Sequence, residues 1–309
     1  MPDWATFTGV SFVVLSLLLL LSRATQTAMS GGTAVETGPD ETGGTRPAAD
    51  SPAVDADTPP EPTPAEPRAV DAGTDSAAPG GDGTASADTS TPFPPGTPSH
   101  ETLRPDDDPS LTTGALLANV ALSQGLFGAV LVGAALYTEV PAAALGIEPT
   151  AASTGWPALA VGVGLGLLLY AGNEVAAAGF RRAGVEPDEE LRELLAPDSL
   201  TGWVVLLGTV LPVIALFEEL LFRAALVGVV STGFAVSPWA MAVVSTVAFA
   251  LGHGMQGPGG VAVTGALGFV LAAAFVVTGS LFVVVVAHYL VNALEFVVHE
   301  GIGVEWAGE

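Results

Sequence analysis

The chain has no cysteine and no lysine among its 309 residues. Without cysteine it can form no disulfide, present no thiolate nucleophile and hold no Cys-ligated metal. Charge is also scarce, at 13% of residues, where a soluble globular domain carries about a quarter. Three short marks of hydrolytic sites are absent. One is His-Glu-x-x-His, which sets two zinc ligands on one helix face. The others are the Gly-x-Ser-x-Gly nucleophile elbow and the Gly-x-Gly-Asp of aspartyl intramembrane hydrolases.

What remains is apolar. Half of the residues are hydrophobic and the mean hydropathy is +0.55, so the chain reads as an integral, multi-pass protein of the cell membrane. The formal net charge of −24 does not contradict this, because the charge is segregated. Residues 31–110 hold sixteen of the 32 acidic residues and three arginines (Arg46, Arg68, Arg104). That stretch is dense in Pro, Gly, Ser, Thr, Ala and Asp and buries too little apolar surface to offset chain entropy. It reads as a disordered acidic tether, with His100 solvated inside it. Nucleic acid is not an expected partner; the lipid bilayer is.

Residues 5–22 form an apolar run long enough to span a hydrocarbon core of roughly 30 Å. Trp4 and Arg23 are placed to anchor its two ends. Residues 1–4 lack the basic start of a secretory signal, so an uncleaved anchor is expected. Further apolar runs fall at about 114–138, 156–178, 201–230, 237–253, 260–279 and 281–298. Lipid admits only helices or closed barrels, and runs near 20 residues indicate helices. The expected fold is therefore all-α: a polytopic transmembrane helical bundle. It comprises an N-terminal anchor (1–30), the linker (31–110), a multi-span domain (111–300) and a tail (301–309). Small residues such as Gly162, Gly164 and Gly166 suit close helix contact. Residues 184–200 suggest a short amphipathic interfacial helix, with Asp198 and Ser199 offering an N-cap for the next span. Arg23 and the group Arg181, Arg182 and Arg192 fall on one side if the N-terminus is extracellular, as the positive-inside rule expects.

Inside these apolar runs sit a few polar residues. The run Leu216-Phe217-Glu218-Glu219-Leu220-Leu221-Phe222-Arg223 holds three ionisable groups, each disfavouring insertion by about 2.5–3.5 kcal/mol at a helix centre. Residues four apart share a helix face, so Glu219 and Arg223 are expected to pair. Glu218 points elsewhere without an in-helix cation. A carboxylate stripped of water suits a general base or acid. His253 ends one span, with Phe249 one turn earlier. His288 and Asn292 form another i,i+4 pair. A histidine can orient or deprotonate water, and an Asn amide can donate to a developing oxyanion. Asn173 and Glu174 near the end of the 156–178 span are not assigned to the site. Glu295 and His299 continue the stripe of His288 and Asn292, but a helix terminus explains them equally well.

Together, Glu218-Glu219-x-x-x-Arg223, Phe249-x-x-x-His253 and His288-x-x-x-Asn292 resemble the motifs of the CPBP intramembrane protease family. That family is also called Abi and includes the type II CAAX prenyl endopeptidases. The resemblance covers roughly residues 111–300. It implies peptide-bond hydrolysis in or near the membrane. By it, Glu218 with His253 activates water, His288 and Asn292 stabilise the oxyanion, and Glu219 and Arg223 support the site. The family carries a metalloprotease label. No cofactor is required by the sequence; if a metal is bound, ligand type allows zinc, with Glu218, His253 and His288 as ligands, the two histidines coming from different helices. The acidic, lysine-free composition resembles proteins of salt-loving archaea, whereas prenylated CAAX proteins belong to eukaryotes. The expected substrate is therefore a membrane-associated or lipid-modified peptide or protein.

Two other classes use such residues. A proton- or ion-coupled transporter would relay charge through them, though no internal pseudo-repeat is visible. A non-catalytic scaffold would keep them as a buried ion-pair cluster. Catalysis also makes a geometric demand. Glu218 lies about 27 Å along a straight helix begun at Ser199, which puts it near the opposite membrane face from His253. A later start, a break near Pro212, a strong tilt or the reverse orientation would bring the two together.

Overall fold

The computed structural model describes residues 1–32, 112–184 and 190–303. The expected tether and His100 lie outside the described residues, apart from the two glycines that end the first helix. Eight helices organise the rest: α1 (Trp4–Gly32), α2 (Thr113–Tyr137), α3 (Trp156–Arg182), α4 (Glu190–Leu195), α5 (Leu200–Phe234), α6 (Pro238–Gly252), α7 (Gly257–Thr278) and α8 (Leu281–Ile302). No strand occurs among the described residues. The all-α reading holds, and α1, α2, α3, α5, α7 and α8 are each long and apolar enough to cross a membrane. The chain is a multi-pass membrane protein.

One expected span is corrected. Residues 237–253 form a helix, but α6 has only 15 residues. At 1.5 Å per residue it is about 22 Å long, short of a hydrocarbon core. Pro238 sets its start, and the turn at Gly254–Gln256 followed by Gly257-Pro258 ends it. The interfacial helix expected over 184–200 is the short α4, with residues 185–189 outside the described residues. Ser199 caps α5, its hydroxyl accepting from the Gly202 amide at 3.1 Å.

Helix packing follows the small residues. A Cβ on Gly162 would lie 2.9 Å from the Val283 carbonyl oxygen, and one on Gly166 would lie 2.9 Å from that of Ala287. These two glycines, one turn apart, let α3 approach the backbone of α8 just before His288. Gly164, on the other face, meets nothing. Close small-residue contact is the main route to helix association where lipid removes the hydrophobic driving force. The core between helices is filled by Phe217, Leu221, Phe222, Leu226, Val284 and Ala287, all almost fully buried.

The first helix is more than a tether point. Trp4 stacks where a Cβ on Gly233 of α5 would sit, 2.8 Å away. Ser22 donates to the Gly252 carbonyl at 2.8 Å, so α1 also holds the end of α6. Asp3 accepts from the Thr6 amide at 3.0 Å and starts the helix.

Helix α5 carries the central deviation from ideal geometry. It is continuous through Pro212 but widens to π-helix at Leu206–Val210 and again at Leu220–Val229. The first wide turn ends two residues before Pro212, whose ring clashes with the carbonyl four residues back and which has no amide to donate. The second begins directly after Glu219 and includes Arg223. Wide turns of this kind concentrate at functional sites because they re-aim side chains and free backbone carbonyls. One carbonyl in that segment, Phe222, accepts from buried Ser245 of α6 at 2.6 Å.

Candidate active site

Three helices deliver the polar residues to one place. From α5 come Glu218 and Glu219, with Arg223 one turn on; α6 ends at His253; α8 brings His288 and Asn292. Glu219 and Arg223 are fully buried, and Glu218 and His288 are nearly so.

The expected Glu219–Arg223 pair is present. Arg223 Nη1 donates to Glu219 Oε1 at 2.8 Å. Its Nη2 donates to the Gly268 carbonyl of α7 at 2.9 Å, and the guanidinium lies 4.7 Å above the centre of the Phe249 ring. Gly268 has no room for a side chain, because a Cβ there would sit 2.8 Å from Phe249. Arg223 is therefore held from three sides by α5, α6 and α7.

Glu219 Oε1 also meets His288 Nδ1 at 2.7 Å. A carboxylate oxygen can only accept, so Nδ1 carries the proton and Nε2 is the acceptor nitrogen of a neutral His288. That Nε2 lies 3.6 Å from Glu218 Oε2, beyond hydrogen-bond length. Two acceptors facing each other at that distance make a place for a donor. A single water, or a proton on His288, would satisfy both. With His288 protonated, the formal charges of Glu218, Glu219, Arg223 and His288 cancel.

His253 is set by its own helix end. Its Nδ1 lies 2.8 Å from the Phe249 carbonyl oxygen, which again assigns the proton to Nδ1 and leaves Nε2 as acceptor. Phe249 joins the two histidines, with its ring centre 4.4 Å from that of His253 and 6.2 Å from that of His288. Glu218, His253, His288 and Asn292 all line one cavity of about 490 Å³. The depth conflict expected for a straight α5 does not keep Glu218 and His253 out of one cavity. Pro212 does not break α5, and α6 is short.

The expected metal-ligand set does not converge. Glu218, His253 and His288 do not bring one donor atom each within 4.8 Å of one another; among the described residues, the group that does is Glu174, Glu295 and His299. His288 Nδ1 and His253 Nδ1 are already turned to Glu219 and to the Phe249 backbone. Each Nε2 is left facing away from these contacts, but as placed the three side chains do not gather one donor atom each around a common point.

The cavity extends to residues that sequence reasoning left aside. Asn173, Glu174, Arg192, Glu295 and His299 line it too. His299 Nε2 meets Glu174 Oε1 at 2.7 Å, and Asn173 donates to Glu295 Oε1. Arg192 donates to Glu300 at 2.7 Å and reaches Glu295 at 3.4 Å. The available signal was the spacing 288, 292, 295, 299, one face of a single helix. Its link to α3 could not be read from periodicity.

Residues 200–294 match the model of a protein family described as Type II CAAX prenyl endopeptidase Rce1-like. No curated protein and no solved structure matches the chain. The matched segment is narrower than the expected 111–300, but it contains all six motif residues from Glu218 to Asn292. The likeness is to that family over less than a third of the chain.

Proposed function

We propose that the chain is an intramembrane endopeptidase that hydrolyses a peptide bond of a membrane-associated or lipid-modified protein with a water activated by Glu218 and His253. The observation that carries this is the shared cavity: Glu218, His253, His288 and Asn292, from three separate helices, line the same 490 Å³ space. The family match supports the reaction class. The buried pairing of Glu219 with Arg223 and His288 supports the division of roles.

In this reading His288 is protonated, and water sits between Glu218 and the Nε2 acceptor of His253. Its oxygen attacks the scissile carbonyl carbon while its proton passes to Glu218. The carbonyl oxygen takes the negative charge, which Asn292 and a protonated His288 meet with N–H donors. Glu219 holds the His288 ring by Nδ1, and Arg223 holds Glu219. Glu218 then returns the proton to the leaving amine as the C–N bond breaks. The apolar walls of the cavity, among them Leu169, Val210 and Leu267, suit an apolar side chain or lipid group on the substrate.

The test is cleavage by the purified full chain in lipid vesicles of a fluorogenic peptide carrying a C-terminal isoprenoid, beside the same peptide without it. Loss of a general base costs about 10²–10⁴-fold in rate. Glu218→Gln and His253→Ala are expected to fall by that order while keeping the parent's elution profile. Equal cleavage by all three proteins refutes the assignment. Equal cleavage of both peptides refutes the lipid preference alone.

A further inference from the structure

Three further side chains that line the cavity have no role in the proposed hydrolysis. Glu174 comes from α3; Glu295 and His299 come one turn apart from α8. All three are mostly buried, with side-chain exposures of 12%, 17% and 11%. One donor atom from each lies within 4.8 Å of the other two. His299 Nε2 is the common pole, 2.7 Å from Glu174 Oε1 and 3.7 Å from Glu295 Oε2.

We propose that Glu174, Glu295 and His299 form a binding site for a divalent transition-metal ion, with Zn²⁺ as the matching probe. An ion with bonds of about 2.0–2.1 Å in a tetrahedral shell spaces its ligands about 3.3 Å apart. The observed spacings of 2.7 and 3.7 Å bracket that value. Opening the shorter contact by about 0.6 Å and closing the longer by about 0.4 Å replaces one hydrogen bond with metal bonds.

The donor chemistry selects the ion. One imidazole with two carboxylates suits zinc and its neighbours better than magnesium or calcium, which prefer all-oxygen shells. Three protein ligands leave a fourth position, and the site borders the cavity, so water or a substrate group can complete the shell.

Two further observations point to a ligand here. Glu174 Oε2 is buried and has no hydrogen-bond partner. In a span of this kind an unsatisfied carboxylate oxygen is costly, and a cation would satisfy it. Glu295 is also braced as metal-binding carboxylates are, Asn173 donating to its Oε1 while its Oε2 faces His299. Such outer partners orient ligands and raise affinity. Arg192 has a closer partner in Glu300 at 2.7 Å, so it keeps an ion pair when the metal takes Glu295.

None of the three ligands lies within the matched segment 200–294. The site is thus separate from the six motif residues, and it does not depend on the protease reading. A bound ion would tie α3 to the last turns of α8 and neutralise the acidic end of the cavity.

The experiment uses the full chain, purified in detergent, with any affinity tag removed and metal stripped by chelation. Zn²⁺ is titrated by calorimetry, and bound metal is counted by mass spectrometry after gel filtration. One Zn²⁺ per chain is expected. Glu174→Gln and His299→Ala are expected to weaken binding at least about tenfold, while Glu218→Gln and His253→Ala bind as the parent does. Elution profile and unfolding in chelator show whether each variant is folded. If a ligand variant fails to fold, X-ray absorption of the zinc-loaded parent decides, with one imidazole and two carboxylates expected in the shell. Absence of stoichiometric binding overturns the proposal. So does binding abolished by Glu218→Gln or His253→Ala and kept by Glu174→Gln, or a shell with two imidazoles.

Discussion

Replacing Arg223 by methionine tests the central electrostatic arrangement most directly. Arg223 is fully buried. The change removes its hydrogen bonds to Glu219 at 2.8 Å and to Gly268 O at 2.9 Å, and its contact with the Phe249 ring at 4.7 Å. Methionine keeps much of the volume, so cavity formation is a minor part of the effect. What dominates is Glu219, left charged at 0% exposure with its Oε2 already lacking a partner. Removing one member of a buried pair destabilises by about 3–5 kcal/mol, chiefly because the other charge is stranded. The assay is reversible unfolding in mixed micelles for the parent, Arg223→Met, Glu219→Gln and the double variant. The double variant strands no charge, so the two single effects should fall short of additivity by about 1–3 kcal/mol. A cost for Arg223→Met below about 1 kcal/mol, the range of exposed pairs, refutes the reasoning. A double variant that is simply additive does the same.

Other outcomes follow from the same geometry. Gly166→Leu forces a side chain into the Ala287 backbone and should destabilise by about 1–3 kcal/mol. Because α8 carries His288, peptide cleavage should fall as well; Gly164→Leu, at an open position, should change neither unfolding nor cleavage. Ser199→Ala removes the cap of α5 and should lower stability by about 1 kcal/mol in the same unfolding assay. Asn292→Ala should reduce kcat by about 10²–10³-fold with little change in KM if its amide meets the oxyanion, as steady-state kinetics on the fluorogenic peptide would show.

Much of this molecule was readable without coordinates. Bilayer physics makes a run of about 20 apolar residues a helix, so six of the seven expected spans have their counterparts. The i,i+4 rule placed Glu219 against Arg223, and separated Glu218 from both, because a helix turns about 100° per residue. Of the glycines at 162, 164 and 166 expected in close contact, 162 and 166 make one and 164 does not. Where the run was short, the reading failed: 237–253 is apolar enough to span, yet Pro238 and Gly257-Pro258 bound a helix of only 15 residues.

The sequence by itself determined the class of the molecule and the chemistry within reach. It specified an all-helical membrane bundle with no thiol, carrying two carboxylates, an arginine and lone histidines in separate spans. Tertiary structure alone decided which of these groups meet. His288 lies between Glu218 and Glu219 because α8 packs close to α3 and beside α5, 69 residues further along the chain than Glu219. Glu174 reaches His299 across 125 residues in the same way. Periodicity records which residues share a face of one helix. Which faces oppose each other is set by packing between helices, by the wide turns of α5 and by the early end of α6, and these depend on contacts that no local pattern encodes.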